Sequence, residues 1–239
     1  MSKKRLFGEF VGDIETRVPK PAVKQVGAIV PGQTAFAMGG LSAFGTPLGT
    51  ITDFNDVDGR ALNCATAGGA GNQAGYVSAL LPANGEVETR WNPYMAGKFK
   101  IVAPVVAFRF WAGLFSGNPT AIDQPAVGFL DALAIRCSTT AANPNFVAVT
   151  GNGALATENI VDFPIPVVPV VNAIHTFSIE VKNAGQGATI TLDTQSMSFL
   201  TNLPALGAGT GLGIYFGITA IPAAIYNIRF YYCYLETDR

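Results

Sequence analysis

Few residues in this chain have the types and spacing that chemistry requires. Glu86-Val87-Glu88 sets two carboxylates at i and i+2, on one face of a strand, where one acid can act as nucleophile and the other as proton donor. Arg90 and Trp91 follow and no third acid joins them, so the pair reads as an ion-paired, solvent-facing strand end. His175 is the sole histidine, and no G-x-S-x-G elbow or other nucleophile pattern lies near it, so it reads as a polar residue at a strand start. Cys64, Cys137 and Cys233 are odd in number and widely spaced, without C-x-x-C. That spacing speaks against a disulfide framework and a zinc site and for buried thiols in a chain made in a reducing compartment. Asp53, Asn55, Asp56 and Asp58 before Gly59 approximate a calcium loop, but Val57 stands where an oxygen ligand is required and no glutamate closes the loop. An Asx-rich turn is the reading that remains. The glycines at 207, 209, 211 and 213, like Gly151 and Gly153, precede neither a helix nor G-K-[ST], so they mark turns rather than a phosphate cradle. With no catalytic residues, no metal ligands and no cofactor motif assembled, the chain is expected not to be an enzyme.

Aromatic residues offer a different chemistry. Trp91 and Tyr94, on the WNPYMAGK segment read as a loop, are candidate glycan-stacking residues; packing back onto their own core is the alternative. Phe108, Phe110 and Trp111 surround Arg109, which is expected to find a carboxylate or to stack on a ring.

The elements that must position these groups are short strands. The stretch from Phe99 to Cys137 reads as a central hairpin, and EVETRW as a strand before it. HTFSIEVKN alternates cleanly, with Phe177, Ile179 and Val181 on one face and Thr176, Ser178, Glu180 and Lys182 on the other. IVDFPIPVVPVV, with three prolines, fits an edge strand or a crossing connection. GIYFGI and IVAPVV are apolar on both faces and belong where two sheets or two subunits meet. Roughly ten to twelve such segments without βαβ alternation predict an all-β, two-sheet antiparallel jelly-roll sandwich.

The predicted domains are residues 1–55, an extended N-terminal anchoring arm, and residues 56–239, the sandwich. In the arm Pro19, Pro21, Pro31 and Pro47 repeatedly reset the backbone, and Leu6, Phe7, Phe10, Ile29 and Val30 are the residues that would hold it to a neighbour. A first pair of edge strands or a loose leader is the other reading of that stretch.

Composition sets the setting. Of 239 residues 49% are apolar and only 13% charged, against about a quarter charged in an ordinary soluble domain. So sparse a charged surface suggests that much of the exterior meets other protein, with a homo-oligomer expected. The net charge of −1 draws neither nucleic acid nor an anionic membrane, and Lys3, Lys4 and Arg5 read as a solvated end. No apolar h-region follows them. Residues 194–228 carry no charge, but their glycines and prolines break helix continuity, so a membrane span is not expected.

RFWAGLF (109–115), VGFLDALAIRCSTT (127–140), NPNFVAVTGNG, HTFSIEV (175–181), ATITLD (188–193), TNLP (201–204) and AAIYNIRFYYCYLE follow one another in an order that resembles the concanavalin A-like lectin/glucanase jelly roll of bacteriophage virion proteins. The resemblance is one of strand texture over roughly the last 150 residues. It implies a virion structural protein, assembled in the host cytoplasm, that decorates or braces a capsid beside other virion proteins or copies of itself. The alternative it allows is a carbohydrate-binding, receptor-recognising module of a tail fibre or spike. Glucanases of the family carry a pattern resembling E-x-D-x-x-E, from which Glu86 and Glu88 depart.

Overall fold

The computed structural model describes residues 24–29, 41–44, 50–78, 87–103, 106–116, 131–139, 144–153, 159–204 and 211–238. They form β1 (Lys24–Ile29), β2 (Leu41–Phe44), β3 (Thr50–Asp56), β4 (Gly59–Ala65), β5 (Gln73–Ser78), β6 (Tyr94–Ala103), β7 (Phe108–Phe115) and β8 (Asp131–Ser138). These continue as β9 (Phe146–Asn152), β10 (Asn159–Val167), β11 (Ile174–Lys182), β12 (Gly187–Leu192), β13 (Gln195–Phe199), β14 (Gly213–Ala220) and β15 (Asn227–Asp238). The strands make two antiparallel sheets. One runs β13-β12-β11-β6-β15-β4-β3, with β1 also on β15; the other runs β10-β9-β8-β7-β14-β5-β2. The fold is therefore the expected all-β, two-sheet jelly-roll sandwich.

Alternation explains how the layers close. On β11, Phe177, Ile179 and Val181 turn inward and are buried, while Thr176, Ser178 and Glu180 point outward. β6 does the same with Met95, Phe99 and Ile101. Phe99 reaches across to stack on Phe110 at 4.5 Å, and Phe216 meets Phe230 at 4.2 Å. Such aromatic pairs add about 0.5–1.5 kcal/mol each beyond the area they bury. Gly97 is required where β6 pairs with Phe177 of β11, since a Cβ there would collide with the Phe177 ring.

The stretch expected to be one hairpin is divided: β6 lies in the eight-stranded sheet, β7 and β8 in the seven-stranded one, and only β7 and β8 pair, Arg109 opposite Ser138 through Phe115 opposite Ala132. The described part of EVETRW, residues 87–91, is not a strand. Val87 makes an isolated bridge to Leu212, and Thr89–Trp91 form a 3-10 turn ended by Asn92 at φ 49°. Nor is WNPYMAGK wholly a loop, because β6 already begins at Tyr94. The inward alternation of Met95, Gly97 and Phe99 is obscured in sequence by a glycine at its middle. β10 is the edge strand its prolines predicted, and its pairing with β9 shifts between Asp162 and Val167, where Pro164 and Pro166 fall. Within residues 1–55, β1 pairs with β15 and β2 with β5. The β3–β4 hairpin runs across position 55/56.

Candidate functional site

The outward face of the eight-stranded sheet is a grid set by strand register. Outward residues of β6 are Tyr94, Ala96, Lys98 and Lys100. Tyr94 lies between Glu236 and Glu180, Ala96 between Tyr234 and Ser178, Lys98 between Tyr232 and Thr176, and Lys100 beside Arg229. The rows continue through Thr189 to Ser198 and through Thr191 to Ser196, whose hydroxyls lie 3.4 and 2.9 Å apart. Neighbours in a row stand about 4.8 Å apart and rows about 6.8 Å apart. Tyr94 and Tyr234 bring their rings to 5.7 Å, and Ala96, on β6 opposite Tyr234, leaves the floor low. One side of the grid thus presents tyrosine rings, the other serine and threonine hydroxyls. Tyr can offer a ring face to apolar C–H surface and its hydroxyl to a polar group at once, and the hydroxyl ladder can both donate and accept.

A charged hub anchors one end of this face. Asp56 Oδ2 accepts from Lys100 Nζ at 2.6 Å, from Arg229 at 2.8 Å and from the Tyr231 hydroxyl at 2.8 Å; Asp58 takes Lys100 at 2.8 Å. Burial alone would raise the Asp56 carboxyl, but hydrogen bonds from Lys100, Arg229 and Tyr231 outweigh it and hold the group well below the ordinary carboxylate range. The same contacts raise Lys100 against the opposing pull of burial, so both partners stay charged. Tyr231 is pushed up to about 12 by burial and by its bond to Asp56, so at neutral pH it is a hydrogen-bond donor and not a base. Arg229 lies over Phe54 at 3.7 Å and Lys98 over Tyr231 at 4.5 Å.

Of the residues singled out in the sequence, Tyr94 belongs to this grid. Trp91 sits just before it in the 3-10 turn, half-buried, with Arg90 5.6 Å from its ring and its carbonyl bonded by Thr237. Glu88 is ion-paired with Arg90, as expected of a lone acid; Glu86, like Leu6, Phe7, Phe10 and Val30, lies outside the described residues. Ile29 ends β1 opposite Cys233. The three cysteines are free and buried, and burial pushes the Cys137 thiol up to about 12. The Asx cluster is the β3–β4 turn, but Asp56 also organises the hub. His175 is more than a polar strand start. It is buried, bonds Asp193 at 2.9 Å through Nδ1, and lies 5.0 Å from the Phe146 ring, so the pair pins the β12–β13 turn, where Asp193 has φ 54°. Arg109 is half-buried near the start of β7, and on the facing strand Arg136 lies 5.7 Å from the Trp111 ring. Sequence reading missed the tyrosines of β15; the signal was RFYYCYLE, with Tyr232 and Tyr234 at strand spacing. Among the described residues no group of three or more His, Cys, Asp or Glu could hold a metal, and no helix is long and apolar enough to cross a membrane.

The sequence matches no family model and no curated protein. Solved structures do match. A Shewanella oneidensis MR-1 protein of unknown function superposes with TM-score 0.58 at 11% identity, over 100% of this chain and 97% of its own. The exoplasmic/lumenal domain of VIP36, in a Ca2+/Man2-bound form, gives 0.52 at 12% identity over 87% of this chain and 86% of its own. An endo-β-1,4-glucuronan lyase from Trichoderma reesei gives 0.51 at 10%, over 78% of this chain and 86% of its own. A carbohydrate esterase of the Shiga toxin-encoding bacteriophage phi24B gives 0.50 at 16%, over 84% and 91%. These comparisons overturn the expectation of a non-enzymatic chain: the sandwich is shared with a lyase and an esterase, and missing glucanase acids do not bear on either chemistry. At such identities the likeness is one of fold, and the chain is a concanavalin-like jelly-roll β-sandwich.

Proposed function

We propose that this chain is a carbohydrate-recognising module, that the outward face of the eight-stranded sheet is its contact surface, and that it works on a bacteriophage particle as a receptor-recognition domain. One observation carries the reading: the half-buried Tyr94 and Tyr232 share a single face with Thr176, Ser178, Thr189, Thr191, Ser196 and Ser198, while Tyr234 is buried beside Tyr94. Rings that can lie against the C–H faces of a sugar therefore stand beside hydroxyls that can bond its edges. The neighbours that bind mannose or act on carbohydrates support the ligand class, and the phage-encoded esterase supports the setting.

Binding of the full chain to a carbohydrate array tests the proposal. The wild-type chain is expected to bind a subset of glycans, and Tyr94→Ala and Tyr232→Ala each to weaken that binding about tenfold with the fold intact. Bound polymers are also assayed for cleavage, which reads lyase or esterase activity directly. Equal binding by the wild type and both variants would remove this face from the account.

A further inference from the structure

Charges on the tyrosine-bearing face are unevenly matched. At one end Asp56 and Asp58 hold Lys100, and Asp56 also holds Arg229. At the other Glu180 is paired with Lys182 at 3.2 Å. Lys98 stands between these settled groups. Its row neighbours are Tyr232 and Thr176, its ammonium lies over the Tyr231 ring, and no carboxylate among the described residues pairs with it. The next carboxylate along the row, Asp193, is committed to His175 and to the Thr176 N–H.

Lys98 is half-buried, so its side chain has given up part of its hydration. Its contact with the Tyr231 ring offsets part of that loss, and Tyr231 is itself fixed by Asp56, so the lysine is held in place without a carboxylate partner among the described residues. The position is also the middle of the grid, one row from Ala96 and flanked by Tyr232 and by the exposed Thr176. An anion lying over this row would meet a fixed positive charge, a hydroxyl and an aromatic ring together.

We infer that the carbohydrate taken by this face carries an oxyanion, either a uronate carboxylate or a sulfate ester, and that Lys98 is its counter-charge; this rests on the carbohydrate reading given above. A charge-assisted contact of this kind is worth about tenfold in affinity and weakens as salt screens it.

The test uses the full chain on an array carrying neutral, uronate-bearing and sulfated glycans, followed by titration of the best binder at low and high sodium chloride. Expected are preference for a charged glycan, a loss of about tenfold in Lys98→Ala, retention in Lys98→Arg, and weaker binding at high salt. Whether the uronate or the sulfated set binds identifies the source of the anion. Neutral glycans bound as tightly as charged ones, or Lys98→Ala binding as well as wild type while Tyr94→Ala fails, would overturn this inference and leave carbohydrate recognition standing. A folded chain that binds nothing on the array overturns both.

Discussion

The two sheets share one interior but have opposite exteriors. Outside the eight-stranded sheet lie tyrosines, hydroxyls and the Asp56 hub; outside the seven-stranded sheet, Trp111, Phe115, Ala132, Ala134, Val147, Val149 and Tyr215 form a second apolar cluster, every member buried. The difference is written in the strands. β11 alternates, whereas β8 and β14 are buried at every position and so have apolar character on both sides. One sheet is therefore packed on both faces, and the other leaves one face with part-exposed polar and aromatic side chains.

Mutations that separate the faces should differ in kind. Trp111→Ala is expected to cost about 3–5 kcal/mol in denaturant unfolding, because it empties a fully buried site on an outward face that behaves as core. Tyr94→Ala, on the half-exposed face, should cost under about 1 kcal/mol while weakening glycan binding about tenfold. Asp56→Ala is the exception that sharpens the contrast. It takes the acceptor from Arg229 and Tyr231 and leaves buried Lys100 with Asp58 alone, for a loss of about 3 kcal/mol. Gly97→Ala should cost about 1–3 kcal/mol by driving a methyl into the Phe177 ring.

The hub also predicts a pH dependence. The folded Asp56 carboxyl is held below its unfolded value of about 3.9, so its stabilisation is complete above that pH and drains away as pH falls through and below it. Acid titration of the unfolding midpoint should show this loss, and Asp56→Asn should flatten it. At the small end, Thr191→Ala should leave stability within about 0.5 kcal/mol of wild type.

The sequence made the alternation of β11 and the edge character of β10 plain, because each depends on its own residues. The tyrosine face was hidden by distance and by one bulge. Simple period-2 reading of RFYYCYLE from Phe230 turns Tyr232 and Tyr234 inward. The register shift between Phe230 and Tyr232 reverses this, setting Cys233 and Leu235 in the core and the tyrosines outside. Asp56 looked like any turn aspartate because its partners Lys100 and Arg229 come from β6 and β15. Arg136 went unremarked in the sequence because only strand register sets it opposite Trp111. Judging catalysis by absent motifs failed for a related reason, since it tested only the chemistries whose motifs were sought.

Amide chemical-shift mapping with the tightest-binding glycan tests the central claim most directly. The account predicts perturbations confined to β6, β11, β12, β13 and β15, centred on Tyr94, Lys98, Thr176 and Tyr232. Perturbations centred instead on β7, β8 and β14 of the other sheet would contradict it.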